Sequence, residues 1–400
     1  MKKRIFISMH YLELGGAEIS LIGLLQALDY TKYEVDLFIH RHQGELMQFI
    51  PKEVNFLPEI SAYSCIECPI TESLYKRQFW VAWGRLKAKW RAKKYQPIDI
   101  SKPQYAIYQY IAQEVGPYLP SLDQYGEYDL AISFLQPHNY VLSKVKAKKK
   151  ACWIHTDYTK VEFDTKAELP VWSAFDHIVS ISPDVTKSFL QVFPSLKEKI
   201  VEIENVLSSD LVRKRAGEKD VSAEIPKCEG NVNVLSVGRF TDAKNYDNVP
   251  DICRRIREKG IDLRWYIIGF GNEVLIREKI QEAGMEDYVI ILGKRTNPYP
   301  YIKACDIYAQ PSRYEGKSVT VREAQILYKP VVVTAYPTAK SQINDGVDGV
   351  IVPMDNEGCA QGMVDFIRNK ALQNQIIDYI RAHDYGNEDE IEKLDKLIKY

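Results

Sequence analysis

Two glutamates, Glu315 and Glu323, stand eight positions apart around the run Gly316-Lys317-Ser318-Val319-Thr320-Val321-Arg322. If 316–318 is a loop and Val319 opens a helix, the first turn offers backbone N–H groups that have no partner inside the helix. Such a turn binds a phosphate or another anion. Glu315 then precedes the helix. Glu323 lies one to two turns inside it, where its carboxylate can accept from sugar hydroxyls. Alone, the spacing is common by chance, and its plain reading is a capped helix with one exposed acid. A second motif in the same half shifts that balance. Gly238-Arg239-Phe240-Thr241-Asp242-Ala243-Lys244-Asn245 follows an apolar run that reads as a strand. A glycine at a strand end, with Arg239 and Lys244 five apart, suits a bound diphosphate: arginine engages it as a planar fork and lysine as a point charge. In the first half, Trp153-Ile154-His155-Thr156-Asp157 sets a histidine and an acid just past another strand-like run. Open α/β sheets place ligands at strand C-terminal ends. His155 is therefore a candidate catalytic residue, and Asp157 a candidate to orient its imidazole or touch an acceptor.

The elements that must position these groups alternate between strand and helix. Runs at 4–9, 33–40, 130–134, 151–154 and 177–181 read as strands of a first half. A helix is expected at 17–28, and another after Ser182-Pro183-Asp184, where Ser182 can cap and Pro183 suits the first turn. The pattern restarts with strands at 232–237, 263–268, 289–292, 307–310, 331–334 and 349–352, and helices at 246–259 and 273–283. This alternation predicts an α/β fold of doubly wound parallel sheets. A length of 400 residues suits two domains. The expected division is 1–207, a polar linker at 208–231, a second domain at 232–370 and a charged helical tail at 371–400.

Composition removes several classes. With 46% hydrophobic and 27% charged residues the chain is neither collagen-like nor largely disordered. Lys+Arg 53 against Asp+Glu 54 leaves no basic excess for general nucleic-acid binding, so no nucleic-acid partner is expected. No apolar run approaches the ~18 residues that span a bilayer. Met1-Lys2-Lys3-Arg4 with its short apolar run reads as a first strand and not a signal peptide. Seven cysteines, an odd number, suit a reducing cytoplasm. Cys65 and Cys68 form one CxxC, with no second pair or nearby histidine to complete a zinc site. One stretch departs from the average: 76–98 holds eight Lys/Arg, no acid, and Trp80, Trp83 and Trp90. Rings and long cations together suit the interface of an anionic membrane. A solvated helix with its tryptophans packed on their own domain is the alternative.

Taken together, Gly238-Arg239 with Lys244, and Pro311-Ser312 leading into Glu315–Glu323, resemble the family-4 retaining glycosyltransferases of the GT-B fold. Supporting stretches follow in the family's order: Leu14-Gly15-Gly16-Ala17-Glu18, Ser180-Ile181-Ser182, Asn205, Gly269-Phe270-Gly271 and Asn344-Asp345-Gly346-Val347-Asp348-Gly349. The region from about 60 to 125 matches nothing in that pattern. The resemblance implies two Rossmann-like doubly wound parallel-sheet domains facing a central cleft. It implies that Arg239 and Lys244 neutralise the diphosphate of a nucleotide-sugar donor and that Glu323 binds the ribose. Glu315 would face the transferred sugar, beside His155 from the other half. Backbone amides of Gly316, Lys317, Ser318 and Val319 would hold the distal phosphate and sugar. Gly15 and Gly16 would let the opposite domain approach the donor, and Gly269, Gly293, Lys294 and Arg295 would flank the nucleobase. Position 317 is lysine where many relatives are apolar.

In such a transfer the leaving diphosphate takes the acceptor proton, so the protein supplies positioning and charge stabilisation. No metal and no cofactor are expected, since no Asp-x-Asp cluster accompanies the nucleotide motifs. The expected acceptor is a glycan or polyprenyl-linked glycan of a surface polysaccharide such as capsule or O-antigen. The expected place is cytoplasmic, peripheral at the inner face of the membrane through 76–98. Two readings stand beside this one: a nucleotide-sugar epimerase of similar fold, and a non-catalytic, membrane-associated nucleotide-sugar-binding protein. A Rossmann oxidoreductase is disfavoured, because no complete G-x-G-x-x-G opens the first helix.

Overall fold

The computed structural model describes residues 2–13 and 15–399. Leu14 of the first glycine motif lies outside them. The chain divides into two compact units, one of Met1–Val206 with Asn387–Tyr400 and one of Leu207–Gly386.

The first unit holds seven strands: β1 Lys3–Met9, β2 Tyr33–Ile39, β3 Asn55–Phe56, β4 Tyr128–Ser133, β5 Ala147–Ile154, β6 His177–Ser180 and β7 Ile200–Glu202. They form one sheet in the order β3-β2-β1-β4-β5-β6-β7, with every pairing parallel. The central strands are apolar on both faces because helices cover both. Alternate residues divide cleanly: Ile5, Ile7, Leu130, Ile132, Ala151 and Trp153 enter one core, and Phe6, Ala131, Cys152 and Ile154 enter the other. That is the two-residue period of a strand expressed as two hydrophobic layers. The edge strands β3 and β7 have two and three residues. They are too short to carry a period, which is why the pattern of apolar runs does not reveal them.

The second unit holds β8 Val232–Val237, β9 Leu263–Ile268, β10 Val289–Gly293, β11 Ile307–Gln310, β12 Val331–Thr334 and β13 Val350–Val352. Their order is β10-β9-β8-β11-β12-β13, again all parallel. Val234, Trp265, Ile267 and Ala309 face one core, and Leu235, Tyr266, Ile268 and Tyr308 the other. In each sheet strand order reverses beside the first strand of the unit, between β1 and β4 and between β8 and β11. Connections leave such a point in opposite directions and open a crevice at the strand C-terminal ends, where ligands bind in open sheets.

The expected boundaries differ from the observed ones. The segment 208–231 is no linker: it contains the helix Ser209–Arg215, and Val212, Ala216, Val221 and Ile225 are buried in the second unit. The segment 371–400 is no single tail either. The helix Lys370–Ala382 buries Ile376 and Ile380 in the second unit, whereas Leu394 and Leu397 are buried in the first.

The unassigned region 60–125 folds as helices of the first unit: Ser61–Ser64, Ile70–Tyr75, Phe79–Lys94 and Ala106–Val115. The helix Phe79–Lys94 has two apolar faces. Val81, Ala82, Arg85 and Ala88 are buried, while Phe79, Trp83, Leu86 and Trp90 are exposed together with Trp80. The exposed ones recur at intervals of three to four residues, so they share a face. Its tryptophans are therefore not packed into the core of their own unit. All seven cysteines are free, and Cys65 and Cys68 are buried.

Candidate functional site

The site in the second unit forms where two loops leave β8 and β11 at the sheet's reversal point. The β8 loop begins at Gly238 and runs through Arg239 to a short 3-10 turn at Asp242–Lys244. Two glycines allow its path. A Cβ on Gly238 would sit 2.9 Å from Lys244 Cε, so its absence lets the lysine stem cross there. A Cβ on Gly269 would sit 2.0 Å from the Gly238 carbonyl oxygen, so only glycine admits the neighbouring strand end. Asn245 ends the turn at φ 60°, and its side-chain amide donates to the Pro311 carbonyl at 2.9 Å. Asparagine tolerates that left-handed conformation better than most residues. Arg313 completes the link: its guanidinium meets both carboxylate oxygens of Asp247, at 3.0 and 2.7 Å, and its N–H donates to the Ala243 carbonyl. The two loops are thus fixed to each other before any ligand arrives.

Between them lies Glu315. Its Oε1 accepts from Lys244 Nζ at 2.6 Å, Gln310 Nε2 at 2.7 Å and Ser312 Oγ at 2.5 Å. Gln310 is itself oriented by the Tyr308 hydroxyl at 2.8 Å. The lysine and glutamate side chains are 20% and 12% exposed, so the pair is mostly shielded from water and held by a fixed polar network. Arg239 is exposed, with no side-chain partner among the described residues.

The helix after this loop is Val319–Ile326, as expected. Its N-terminus differs from expectation in one respect. The Ser318 N–H is not free: it donates to Gln342 Oε1 at 3.0 Å, and the Gln342 amide returns a bond to the Ser318 carbonyl. An anion at that turn must displace the glutamine or use the neighbouring amides of Gly316, Lys317 and Val319. Glu323 points inward and is only 3% exposed, accepting from the Tyr299 hydroxyl at 2.8 Å. Burial raises its carboxyl to about 7, against opposing pulls from that bond and from Arg215.

The remaining candidates divide. Gly293 ends β10 at φ 75° and its carbonyl accepts from the Gly269 N–H, so both glycines line the rim beside Gly238. Lys294 is exposed beside the Phe270 ring, 5.4 Å from its centroid. Arg295 turns instead to Glu224 at 2.7 Å and to the Tyr301 hydroxyl at 2.8 Å. With Lys219 it holds the Glu224 carboxyl down to about 2. Its charge is thereby spent on the fold of the unit.

In the first unit, Gly15 precedes and Gly16 opens the helix Gly16–Ala27 after β1. His155 follows β5, with its ring 4.8 Å from Phe134. Burial lowers it to about 4, so it is neutral near pH 7, and its Nε2 is buried with no partner. Asp157 does not orient it. Its Oδ1 accepts from the Thr159 N–H at 2.9 Å and hydroxyl at 2.6 Å, a local turn that the sequence spacing does not disclose. Asn245, Gln310, Arg313, Tyr299 and Gln342 carry site geometry without having been candidates. Only Asn245, adjoining a motif, gave a signal in the sequence. Among the described residues no group of three or more His, Cys, Asp or Glu side chains is placed to hold a metal ion.

Comparison with known proteins bears on this geometry. Residues 218–383 match the family described as glycosyl transferases group 1. The chain is 31% identical over 160 residues to the N-acetylgalactosamine-N,N'-diacetylbacillosaminyl-diphospho-undecaprenol 4-alpha-N-acetylgalactosaminyltransferase of Campylobacter jejuni, covering 38% of this chain and 42% of that protein. It is 26% identical over 168 residues to the amylovoran biosynthesis glycosyltransferase AmsD of Erwinia amylovora, covering 41% and 47%. The aligned part thus spans less than half the length of either relative. Two solved structures match throughout: Anabaena HepE in complex with UDP and glucose, at TM-score 0.66 and 16% identity over 98% of both chains, and TarM of S. aureus in complex with Fondaparinux, alpha-GlcNAc-glycerol and UDP, at TM-score 0.68 and 14% identity over all of both chains. At such identity they speak for the fold alone.

Proposed function

Residues 218–383 belong to glycosyl transferases group 1 and the chain has the GT-B fold, and from that premise we propose that it transfers a sugar from a nucleotide-diphosphate sugar, with retention, to a glycan or lipid-linked acceptor of a surface polysaccharide. The observation that carries the reading is the pair of loops at the β8/β11 reversal point. They set the exposed Arg239 and the oriented Lys244 beside Glu315, with Glu323 one helix further on. The bond from the sugar's anomeric carbon to the diphosphate breaks, and the acceptor oxygen bonds to that carbon on the same face. The acceptor proton passes to the departing phosphate oxygen. Negative charge grows on the leaving group, where Arg239 and Lys244 stabilise it, and this is where fixed cations lower a barrier most. His155, neutral and with an unpartnered Nε2, is suited to accept a hydrogen bond from a sugar hydroxyl. The charge at the diphosphate is supplied by side chains, so the reaction needs no metal ion and no cofactor in this reading.

A panel of nucleotide sugars tests the reading by thermal shift. The true donor, at about a hundred times its dissociation constant, stabilises the native state by about 2.7 kcal/mol and raises the melting temperature by about 5 °C. A panel in which no nucleotide-diphosphate sugar moves the transition would sink it.

The acceptor is proposed to lie at an anionic membrane. No helix among the described residues is long and apolar enough to cross one. The support is the aromatic face of Phe79–Lys94: Trp80 is 67% and Trp90 60% exposed, with Lys89, Lys93 and Lys94 also exposed. The Campylobacter relative, by its name, acts on a diphospho-undecaprenol-linked sugar. Arg91, bound to Glu114 at 2.7 Å, has its charge matched already. Each free cation contributes about 1 kcal/mol near an anionic surface. Replacing Lys89, Lys93 and Lys94 by glutamine is therefore expected to weaken binding to phosphatidylglycerol vesicles about 100-fold in flotation. Equal flotation of variant and wild type at low and high salt counts against a membrane role.

A further inference from the structure

Arg85 belongs to the same helix as the exposed lysines but turns inward, and is 9% exposed. Its Nε and Nη1 are buried and have no hydrogen-bond partner. Nearby groups share that condition. His10, just past β1, is 8% exposed; its Nδ1 is bonded to Glu67 at 2.6 Å, while its Nε2 is buried and unpartnered. The His10 ring stacks on His40 at 5.1 Å, and His40 meets the Tyr140 ring at 5.7 Å. The Tyr140 hydroxyl is buried and unpartnered as well. Arg85 is close enough for its charge to act on both Glu67 and Tyr140. Three side chains from three elements thus leave four polar atoms unsatisfied in one neighbourhood, at the C-terminal ends of β1 and β4.

Buried polar groups are almost always bonded, and a buried cation with idle donors is costlier still. A chain keeps such a cluster where something else completes it. The missing partner must be an acceptor for guanidinium hydrogens. The Tyr140 hydroxyl can donate to the same group. Because an ionised Glu67 only accepts, His10 holds its first hydrogen at Nδ1, and its Nε2 donates when the ring is protonated. Several acceptor oxygens around one centre with negative charge describe a phosphoryl group. A neutral sugar would leave the guanidinium charge unmatched, and a carboxylate offers fewer oxygens.

We propose that Arg85, His10 and Tyr140 form a subsite within the first unit for a phosphoryl oxyanion carried by the acceptor. Its attribution to the acceptor rests on the transferase reading; the oxyanion site itself does not. The site is separate from the diphosphate position at Arg239 and Lys244, which the second unit supplies.

Inorganic pyrophosphate is the probe, titrated into the full chain while histidine ring proton resonances are followed. The His10 signal, assigned through His10→Gln, is expected to shift saturably. Arg85→Met is expected to weaken that response at least tenfold, and to melt at or above the wild-type temperature in the absence of anion, because it removes an unmatched buried charge. Tyr140→Phe should weaken the response severalfold and keep the fold. Nucleotide-sugar binding in the second unit, read by the thermal shift described above, reports on the transferase reading separately. A His10 signal that does not move, or an Arg85→Met variant that titrates like wild type or melts well below it, overturns the proposal. Farnesyl diphosphate and glucose 1-phosphate then identify the carrier: a tighter response to the first assigns the anion to a prenyl lipid, and to the second to a soluble sugar phosphate.

Discussion

Lys244→Ala is expected to lower sugar transfer by about 10²–10³-fold in kcat/KM, comparable with loss of one fixed charge-stabilising donor in other enzymes. The size follows from how Lys244 is held. Its ammonium already sits 2.6 Å from Glu315 Oε1, its stem passes over Gly238, and its loop is fixed through Asn245 and Arg313. Little reorganisation is then needed when the diphosphate arrives, so most of the charge stabilisation is realised in the transition state. The variant also leaves the Glu315 carboxylate with Gln310 and Ser312 but no cation, which destabilises the ligand-free unit by about 1–3 kcal/mol. Calorimetry with the donor separates the two effects: binding should fall strongly even where the variant remains folded. Wild-type donor affinity in Lys244→Ala would remove Lys244 from the site.

Glu323→Gln is expected to stabilise the ligand-free protein at pH 8 and yet bind donor about tenfold less tightly. Burial lifts the folded-state carboxyl from 4.5 to about 7. Between those values the folded chain keeps a proton that the unfolded chain has lost, so stability falls as pH rises through the window. A shift of that size is worth about 3 kcal/mol. Glutamine has no such titration: the two proteins should be similar near pH 5, and the variant more stable by about 3 kcal/mol at pH 8. Donor binding runs the other way. A carboxylate accepting from ribose hydroxyls must be ionised, so wild-type affinity should climb as pH rises towards and past 7, and the loss of one charged hydrogen bond weakens binding by about tenfold. Parallel stability curves from pH 5 to 8 would mean that the buried carboxyl is compensated, and pH-independent donor binding would place the ribose elsewhere.

Much of this arrangement is legible in the sequence, and the parts that are not have identifiable reasons. The strands at 232–237 and 263–268 are readable because each is an apolar run bounded by breakers, and they coincide with β8 and β9. The helix expected at 246–259 is observed at Val249–Glu258. Its start is delayed because Asn245 takes a left-handed conformation to reach Pro311, a contact 66 residues away. The same kind of distant partner hides the state of Ser318: Gln342 lies 24 residues on, and no local pattern announces that it will occupy the N–H. Arg295 looks like a nucleobase-side cation until Glu224, 71 residues earlier, claims it. The basic run at 76–98 is equally ambiguous from spacing, since a helix with apolar residues on two faces has no single stripe. Only three dimensions separate Trp83 and Trp90, which are exposed, from Arg85, which is not.

The return of residues 387–399 to the first unit bears on how the chain is made. Leu394 and Leu397 are fully buried in that unit's core, with Asp395 accepting from the Tyr33 hydroxyl. Synthesis runs from the N-terminus, so every residue of the second unit emerges from the ribosome before these leucines exist. The first unit therefore waits, with part of its apolar core uncovered, until the last dozen or so residues are translated, and the second unit is the one free to complete its fold during synthesis. A nascent chain of this protein exposes its most aggregation-prone surface at the end it began with.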